Sequence, residues 1–144
     1  MRRSFATAAW FAAALSAATL QPSMVSGASA DDAETVKQIF AKQLPNVPGN
    51  SMTAFVVDYA PGGKSASHHH TGSVFAYVLT GEIRSQISDG APAKVYKAGE
   101  FFYEPPGSSH LVSENASATE PASLLAVFVA ADDATLTAAG EAKK

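Results

Sequence analysis

The sequence predicts an all-β fold, an antiparallel β-sandwich or β-barrel, and two observations carry this prediction. From residue 51 to residue 131 the chain runs in short apolar stretches of five to ten residues that are rich in Val, Phe, Tyr and Ile. Glycine and proline turns separate these stretches, and no helical pattern lies between them. Short strands at regular spacing without intervening helices are typical of an antiparallel sandwich or barrel. We therefore assign residues 51–131 to one β-domain.

The first 30 residues have the composition of an export signal. Arg2 and Arg3 precede an uncharged run from Phe5 to Leu20, and a small-x-small pattern ends at Ala30. The run is shorter than the roughly 20 residues that a membrane-spanning helix needs, so retention as a membrane anchor is the weaker alternative. We expect an exported protein, periplasmic or secreted, that is cleaved after Ala30 and has no membrane contact afterwards.

Segments on either side of the β-domain have their own patterns. Four apolar residues recur at helical spacing before it: Val36, Ile39, Phe40 and Leu44. An acidic N-cap, Asp31 or Asp32, precedes them and the turn-forming sequence PNVPGN follows. The pattern predicts a short N-terminal amphipathic helix with a linker over residues 31–50. Small and charged residues over 132–144 predict a flexible C-terminal tail.

Composition and charge exclude several classes of function. Residues 1–30 contain two of the 10 basic residues and none of the 13 acidic ones, so 8 basic and 13 acidic residues remain after cleavage, a net charge of −5. Without a basic cluster, the chain has no electrostatic footprint for nucleic acid. The absence of cysteine excludes disulfides, thiolate metal sites and cysteine nucleophiles. Neither a phosphate-binding glycine loop nor a serine nucleophile elbow is present.

The histidines are the main candidates for chemistry. Three of the four are consecutive, His68 to His70, and the fourth is His110. Strand alternation places His68 and His70 on one face and His69 on the other. If the strand that begins at His110 lies beside them, three imidazoles converge and leave open positions on a divalent transition metal. A polar surface loop is the alternative that the triplet alone leaves open.

The spacing of these residues resembles the two motifs of the cupin superfamily. The first motif has a glycine, a His-x-His pair, a glutamate and a glycine, and the positions that match are Gly62, His68 to His70, Val74 and Gly81. The second motif has a glycine, Pro-x-Gly, a histidine and an asparagine, and the positions that match are Gly99, Pro105 to Gly107, His110 and, one place late, Asn115. The resemblance spans roughly residues 51–130 and implies a small antiparallel barrel that binds metal inside through His68, His70 and His110.

One position departs from the family pattern. Val74 stands where many cupins have a glutamate ligand, so the chain resembles the three-histidine members, which include mononuclear iron dioxygenases. The resemblance then implies one divalent transition metal, iron first, with manganese, nickel, copper or zinc as alternatives. It implies a small-molecule oxidoreductase that acts on a chelating or enolisable substrate, which the N-terminal signal predicts to be exported, and it allows a homodimer. A non-enzymatic periplasmic module that binds metal or a small ligand, and a metal-dependent isomerase or lyase, are the alternatives.

Glu104 is the catalytic candidate beside the histidines. It ends the predicted strand EFFYE, six residues before His110, where its carboxylate could hydrogen-bond a ligand imidazole and set its tautomer. A glutamate that faces solvent before a turn is the alternative.

Four further residues are candidates for the pocket wall: Tyr77, Tyr103, Arg84 and Gln86. Arg84 and Gln86 alternate with Ile83, Ser85 and Ile87, so they are surface residues if the apolar set faces inward.

Overall fold

The computed structural model describes residues 33–140, which form two five-stranded antiparallel sheets. The strands are β1 (Glu34–Gln43), β2 (Asn50–Tyr59), β3 (His68–His70), β4 (Ser73–Thr80), β5 (Glu82–Ile87), β6 (Lys94–Lys97), β7 (Phe101–Glu104), β8 (Ser109–Asn115), β9 (Ala122–Ala131) and β10 (Thr137–Ala139). The first sheet has the order β1-β2-β9-β4-β7 and the second the order β10-β3-β8-β5-β6. The predicted all-β fold is confirmed.

No helix occurs in residues 33–140, and hence none there is long and apolar enough to cross a membrane. The predicted apolar runs become strands: β4 coincides with the run SVFAYVLT and β9 with the run ASLLAVFVAA. Along β4 the side chains alternate, so that Val74, Ala76 and Val78 are buried and the residues between them are exposed.

The two sheets contribute different side chains to the interior. The main apolar cluster consists of Val57, Tyr59, Val74, Ala76, Val78, Ile83, Phe102, Ala122, Leu124, Ala126 and Phe128. All of these except Ile83 belong to the first sheet. On the second sheet, the buried residues include His70, Ser85, His110 and Ser113. The inner face of the first sheet is therefore mostly apolar, with Glu104 on β7 and the Tyr59 hydroxyl among its polar groups, and most of the buried polar residues named here lie on the second sheet.

The predicted helix over residues 31–50 is wrong where the structure describes it. Residues Glu34–Gln43 form β1, which pairs antiparallel with β2. The register shifts between Gln38 and Phe40, and such a bulge inserts one extra residue and moves the following side chains to the other face. Val36 and Phe40, which lie on either side of the bulge, are four residues apart, and this spacing is close to one turn of a helix.

The predicted flexible tail is also wrong over its described part. Thr137–Ala139 form β10, which pairs with β3, and the Gly140 N–H donates to the Ser67 carbonyl at 2.9 Å. β10 satisfies backbone groups at the open edge of β3, which a composition of small polar residues does not reveal. Residues 141–144 and the predicted export signal at 1–30 lie outside the described residues.

Candidate metal centre

Strand pairing brings three histidines together. β3 and β8 are neighbours in the second sheet, and His68 lies directly opposite His110. His70 follows His68 by two residues on the same face. One nitrogen from each ring lies within 4.8 Å of the others. The structure thus gives the convergence that the spacing of His68, His70 and His110 predicts.

Carbonyl groups orient the two imidazoles of β3. His68 Nδ1 lies 2.7 Å from the Ala66 carbonyl oxygen, and His70 Nδ1 lies 3.1 Å from that of Leu136. A carbonyl oxygen can only accept, so each Nδ1 carries the proton and each Nε2 keeps its lone pair. The Thr137 hydroxyl, 3.1 Å from His70 Nδ1, holds the same ring nitrogen.

Glu104 faces the imidazoles from β7. Its side chain is 2% exposed; Oε1 lies 3.4 Å from His110 Nδ1, and Oε2 lies 3.7 Å from His70 Nε2. Both distances exceed an ordinary hydrogen bond, and Oε2 has no hydrogen-bond partner among the described residues. The other nitrogen of His110, Nε2, lies 2.8 Å from the Ser85 hydroxyl.

Burial favours the neutral form of these groups. It lowers the pKa of His70 to about 4, and the neighbouring His68 lowers it further. Burial, with His68 and His70 close by, lowers the pKa of His110 to about 3, whereas burial raises the pKa of Glu104 to about 7. Although the distances from Glu104 to the rings of His70 and His110 fit ion pairs, these two imidazoles are uncharged near pH 7. Their lone pairs are therefore available to a metal.

This set of donors fits a divalent transition metal. Neutral imidazole nitrogens and a carboxylate oxygen are ordinary ligands of manganese, iron, copper, nickel and zinc. An unpartnered carboxylate oxygen in a buried site costs free energy that a cation offsets. The residues at this centre could therefore hold one such ion.

The centre lines a cavity of about 370 Å³ between the two sheets. Its apolar wall is formed by side chains that include Phe55, Val57, Val74, Phe102, Leu124 and Phe128. Among the described residues that line it there is no lysine or arginine.

Tyr59 also lines the cavity, and its hydroxyl lies 2.7 Å from that of Ser65 and 2.8 Å from that of Ser113. Burial raises the pKa of Tyr59, so the phenol keeps its proton.

The four candidates for the pocket wall do not line this cavity. Tyr77 and Tyr103 are 37% and 53% exposed on the outer face of the first sheet. Arg84 is exposed and lies 3.5 Å from Glu114, while Gln86 donates to the Ala91 carbonyl. Alternation accounts for Arg84, since Ile83 and Ser85 take the inward positions of β5.

Several contributors to the site escape sequence reasoning. Ser85 could have been found, because it shares the inward face of β5 with Ile83. Tyr59 ends an apolar strand and is indistinguishable from a core aromatic residue. Leu136 and Thr137 have no signal in the sequence, because β10 is brought to β3 by a pairing that spans 66 residues or more.

The family model of the cupin domain matches residues 55–128, which is half of the chain and contains all three histidines and Glu104. The chain is a cupin. Among curated proteins, this cupin is 33% identical over 91 residues to a germin-like protein, subfamily 2 member 2, of Arabidopsis thaliana. The match covers 60% of this chain and 41% of the germin-like protein. The chain thus spans about two-fifths of the length of the curated relative it matches.

Solved structures share the fold. The DMSP lyase DddQ from Ruegeria pomeroyi is 20% identical with a TM-score of 0.62, over 83% of this cupin and 59% of the lyase. An oxalate decarboxylase of Bacillus subtilis with Mn(II) centres is 28% identical with a TM-score of 0.53, over 61% of this cupin and 23% of the decarboxylase. Metal-dependent enzymes that act on small molecules therefore occur among its structural neighbours.

Proposed function

We propose that this cupin is an exported metal-dependent oxidoreductase for a small chelating or enolisable substrate, most concretely a mononuclear iron dioxygenase. One observation carries the proposal. Three imidazoles present nitrogen atoms within 4.8 Å of one another at the wall of a mostly apolar cavity. A ligand set of this size leaves coordination positions open, as catalysis at a metal requires.

Each wall of the cavity has its own part in this function. His68, His70 and His110 hold the ion, which when bound supplies Lewis acidity and, if it is iron, electron exchange with O₂. The apolar wall with Phe55, Phe102 and Phe128 keeps bulk water away from the reacting groups.

The lining also limits the substrate. At about 370 Å³, the cavity is near the lower end of the range for ligand pockets. Since no lysine or arginine occurs among the described lining residues, an anionic group of the substrate has only the metal as a cationic partner. The hydroxyl groups of Tyr59, Ser65 and Ser113 form a polar patch that can orient a substrate oxygen. We infer a small compound with one chelating head and an apolar body.

Metal binding and oxygen consumption test this function. We expect stoichiometric metal in the wild type and in His69→Ala, whose ring lies outside the cavity lining, and loss of metal in His110→Ala. The iron-loaded protein should consume O₂ with at least one member of a panel of diketones, catechols and flavonols. Absence of metal from the wild type would refute the centre itself.

The same assays separate the alternatives. Iron binding without O₂ uptake on any compound of the panel would contradict the oxidoreductase and favour a non-enzymatic carrier. Substrate conversion with zinc and without O₂ would favour an isomerase or lyase, in which the metal acts as a Lewis acid only. Export is tested by N-terminal sequencing of the protein from a periplasmic fraction, where Asp31 is the expected first residue; an uncleaved chain would contradict it.

A second copy of this cupin is the partner that we propose for the outer face of the first sheet. Strand register aligns two apolar rows on that face, one of Phe40, Ala54, Val127, Phe75 and Tyr103 and one of Val56, Leu125, Tyr77 and Phe101. Five aromatic residues in these rows are 37–60% exposed. At about 150–250 Å² for each aromatic side chain, they present on the order of 500 Å², against about 800 Å² per partner in a standard interface. Lys37 lies opposite Val56 at the margin of the second row. A largely apolar patch of this size suits a two-fold contact with itself.

A further inference from the structure

We propose that Glu104 is a fourth protein ligand of the metal, so that the centre consists of three imidazoles and one carboxylate drawn from β3, β8 and β7. The inference rests on the metal centre proposed above but not on the reaction. Three separate observations support it: the strand register, the distances from Glu104 to the imidazoles, and the contacts of the other ring nitrogens.

Strand register places Glu104 at the centre. β4 and β7 pair antiparallel, and Val74 lies directly opposite Glu104. Directly opposed residues point to the same face with Cβ atoms about 5 Å apart. Both side chains are almost completely buried, at 1% and 2% exposure, and both line the cavity. The carboxylate that position 74 lacks is therefore present one strand away, on the same wall.

Distances favour ligation. Glu104 Oε1 lies 3.4 Å from His110 Nδ1, and Oε2 lies 3.7 Å from His70 Nε2. Two ligand atoms that each lie about 2.1 Å from one ion at a tetrahedral angle are about 3.4 Å apart. The carboxylate oxygens thus stand at ligand-to-ligand distance from two imidazole nitrogens, too far for good hydrogen bonds.

The surroundings of the rings argue against a carboxylate that only orients them. A group with that role contacts the nitrogen that faces away from the metal. On His68 and His70 those nitrogens are taken by the carbonyls of Ala66 and Leu136, and on His110 the Nε2 is taken by Ser85. The Ser85 contact leaves His110 Nδ1 as the ring nitrogen that faces Glu104. Glu104 therefore lies on the inner side of the rings, where the ion would be.

The Glu104 oxygen that has no hydrogen-bond partner favours the binding of a cation. Glu104 Oε2 has no hydrogen-bond partner among the described residues, and no lysine or arginine occurs in the described cavity lining. An ionised carboxylate in such a place is costly unless a cation compensates it. Bound to a divalent ion, it would lower the charge of the centre from +2 to +1 and favour the harder ions, manganese and iron, over copper.

Metal affinity and the structure of the loaded protein test the proposal, both without substrate. We expect Glu104→Gln to bind Mn²⁺ at least 10-fold more weakly than the wild type, and Glu114→Gln, which changes a carboxylate paired with Arg84 on the other side of the second sheet, to bind it normally. The double variant Val74→Glu/Glu104→Gln returns a carboxylate to the cavity from the neighbouring strand and should regain most of the affinity. A residue that only positioned the rings would not be replaced in this way.

A crystal structure of the Mn²⁺- or Zn²⁺-loaded wild type decides the matter if the double variant does not fold. The expected result is a Glu104 oxygen at about 2.0–2.2 Å from the ion. A loaded centre with both oxygens beyond about 3 Å, or a Glu104→Gln variant with the Mn²⁺ affinity of the Glu114→Gln control, would overturn the proposal and leave the three-histidine centre intact. Failure of the proposed oxidation would not affect either measurement.

Discussion

Single residues at the centre owe their chemistry to burial. The imidazoles of His70 and His110 and the carboxyl group of Glu104 all prefer the neutral form, because each is removed from water without a fixed opposite charge. For the imidazoles this preference prepares metal binding, since the neutral ring is the ligand. For Glu104 the preference for the neutral form opposes metal binding, because the ionised carboxylate is the ligand. A bound cation would reverse this preference. Ionisation of this carboxyl group should therefore measurably lower the free energy of unfolding of the metal-free protein.

We expect Glu104→Gln to stabilise the metal-free protein at alkaline pH and much less at acidic pH. The pKa of Glu104 is raised from 4.5 to about 7 in the folded chain, so the folded chain binds more protons than the unfolded chain between these values and the wild type loses stability as the pH rises through them. The difference between the two pKa values corresponds to about 3 kcal/mol. Urea unfolding in the presence of a chelator at pH 4.5 and at pH 8 measures the effect.

Glu114→Gln is the control for this measurement, because Glu114 is one-third exposed and lies outside the cavity lining. A gain in stability from Glu104→Gln that is the same at both pH values would contradict a buried carboxyl group with a raised pKa.

Strands at the margins of the sheets complete the site. β10 is only three residues long, yet it closes the edge of β3 and brings the Leu136 carbonyl and the Thr137 hydroxyl to His70 Nδ1. Outer contacts of this kind fix the tautomer and orientation of a ligand imidazole. β1 extends the opposite sheet and contributes Val36 to the cavity wall. Neither element could be assigned as a strand from its own composition.

A chain that ends at Thr135 should fold but bind metal about 10- to 100-fold more weakly, which is the usual cost of losing an outer contact to a ligand. The truncation removes the Leu136 and Thr137 contacts and leaves the apolar cluster of the first sheet, apart from the packing of Leu136 against it. A chain that ends at Gly140 retains β10 and serves as the matched control. Titration with Mn²⁺ measures the affinity; equal values for the two chains would show that β10 has no part in holding His70.

The whole molecule is asymmetric between its two sheets. The first sheet is apolar on its inner face, where it walls the cavity, and carries two apolar rows on its outer face. The second sheet carries His68, His70 and His110 inside and the ion pair of Arg84 with Glu114 outside. The first sheet thus supplies most of the apolar core and the outer face proposed for association, while the three histidines of the centre come from the second sheet and Glu104 faces them from the first.

We expect the protein to be a dimer in solution and Phe75→Glu to make it a monomer. Phe75 is 41% exposed near the middle of an apolar row, and a charge there cannot be buried without a partner. Val47→Glu is the control, since Val47 is equally exposed at 42% but lies in the turn between β1 and β2, outside the rows. Light scattering after size-exclusion chromatography measures the mass. A monomeric wild type, or a dimer unaffected by Phe75→Glu, would contradict the proposed interface.

The prediction from sequence succeeded where local pattern and spacing carry the information. β4 and β9 follow their apolar runs, and the two motifs anticipated that His68, His70 and His110 converge. It failed at β1, where a bulge imitated helical spacing, and at β10, whose small residues acquire a structure only through pairing with β3.

By itself the sequence determined the all-β fold, the family and the three histidines, because alternation, turns and motif spacing are local properties of the chain. Only the tertiary structure decided where the Glu104 carboxylate lies relative to the histidines. Its carboxylate lies opposite Val74, on the inner side of the imidazoles, with one oxygen unpartnered among the described residues. That arrangement arises because β7 pairs with β4 while β8 pairs with β3 in the facing sheet. Such proximity depends on packing between sheets, for which a single sequence carries no direct signal.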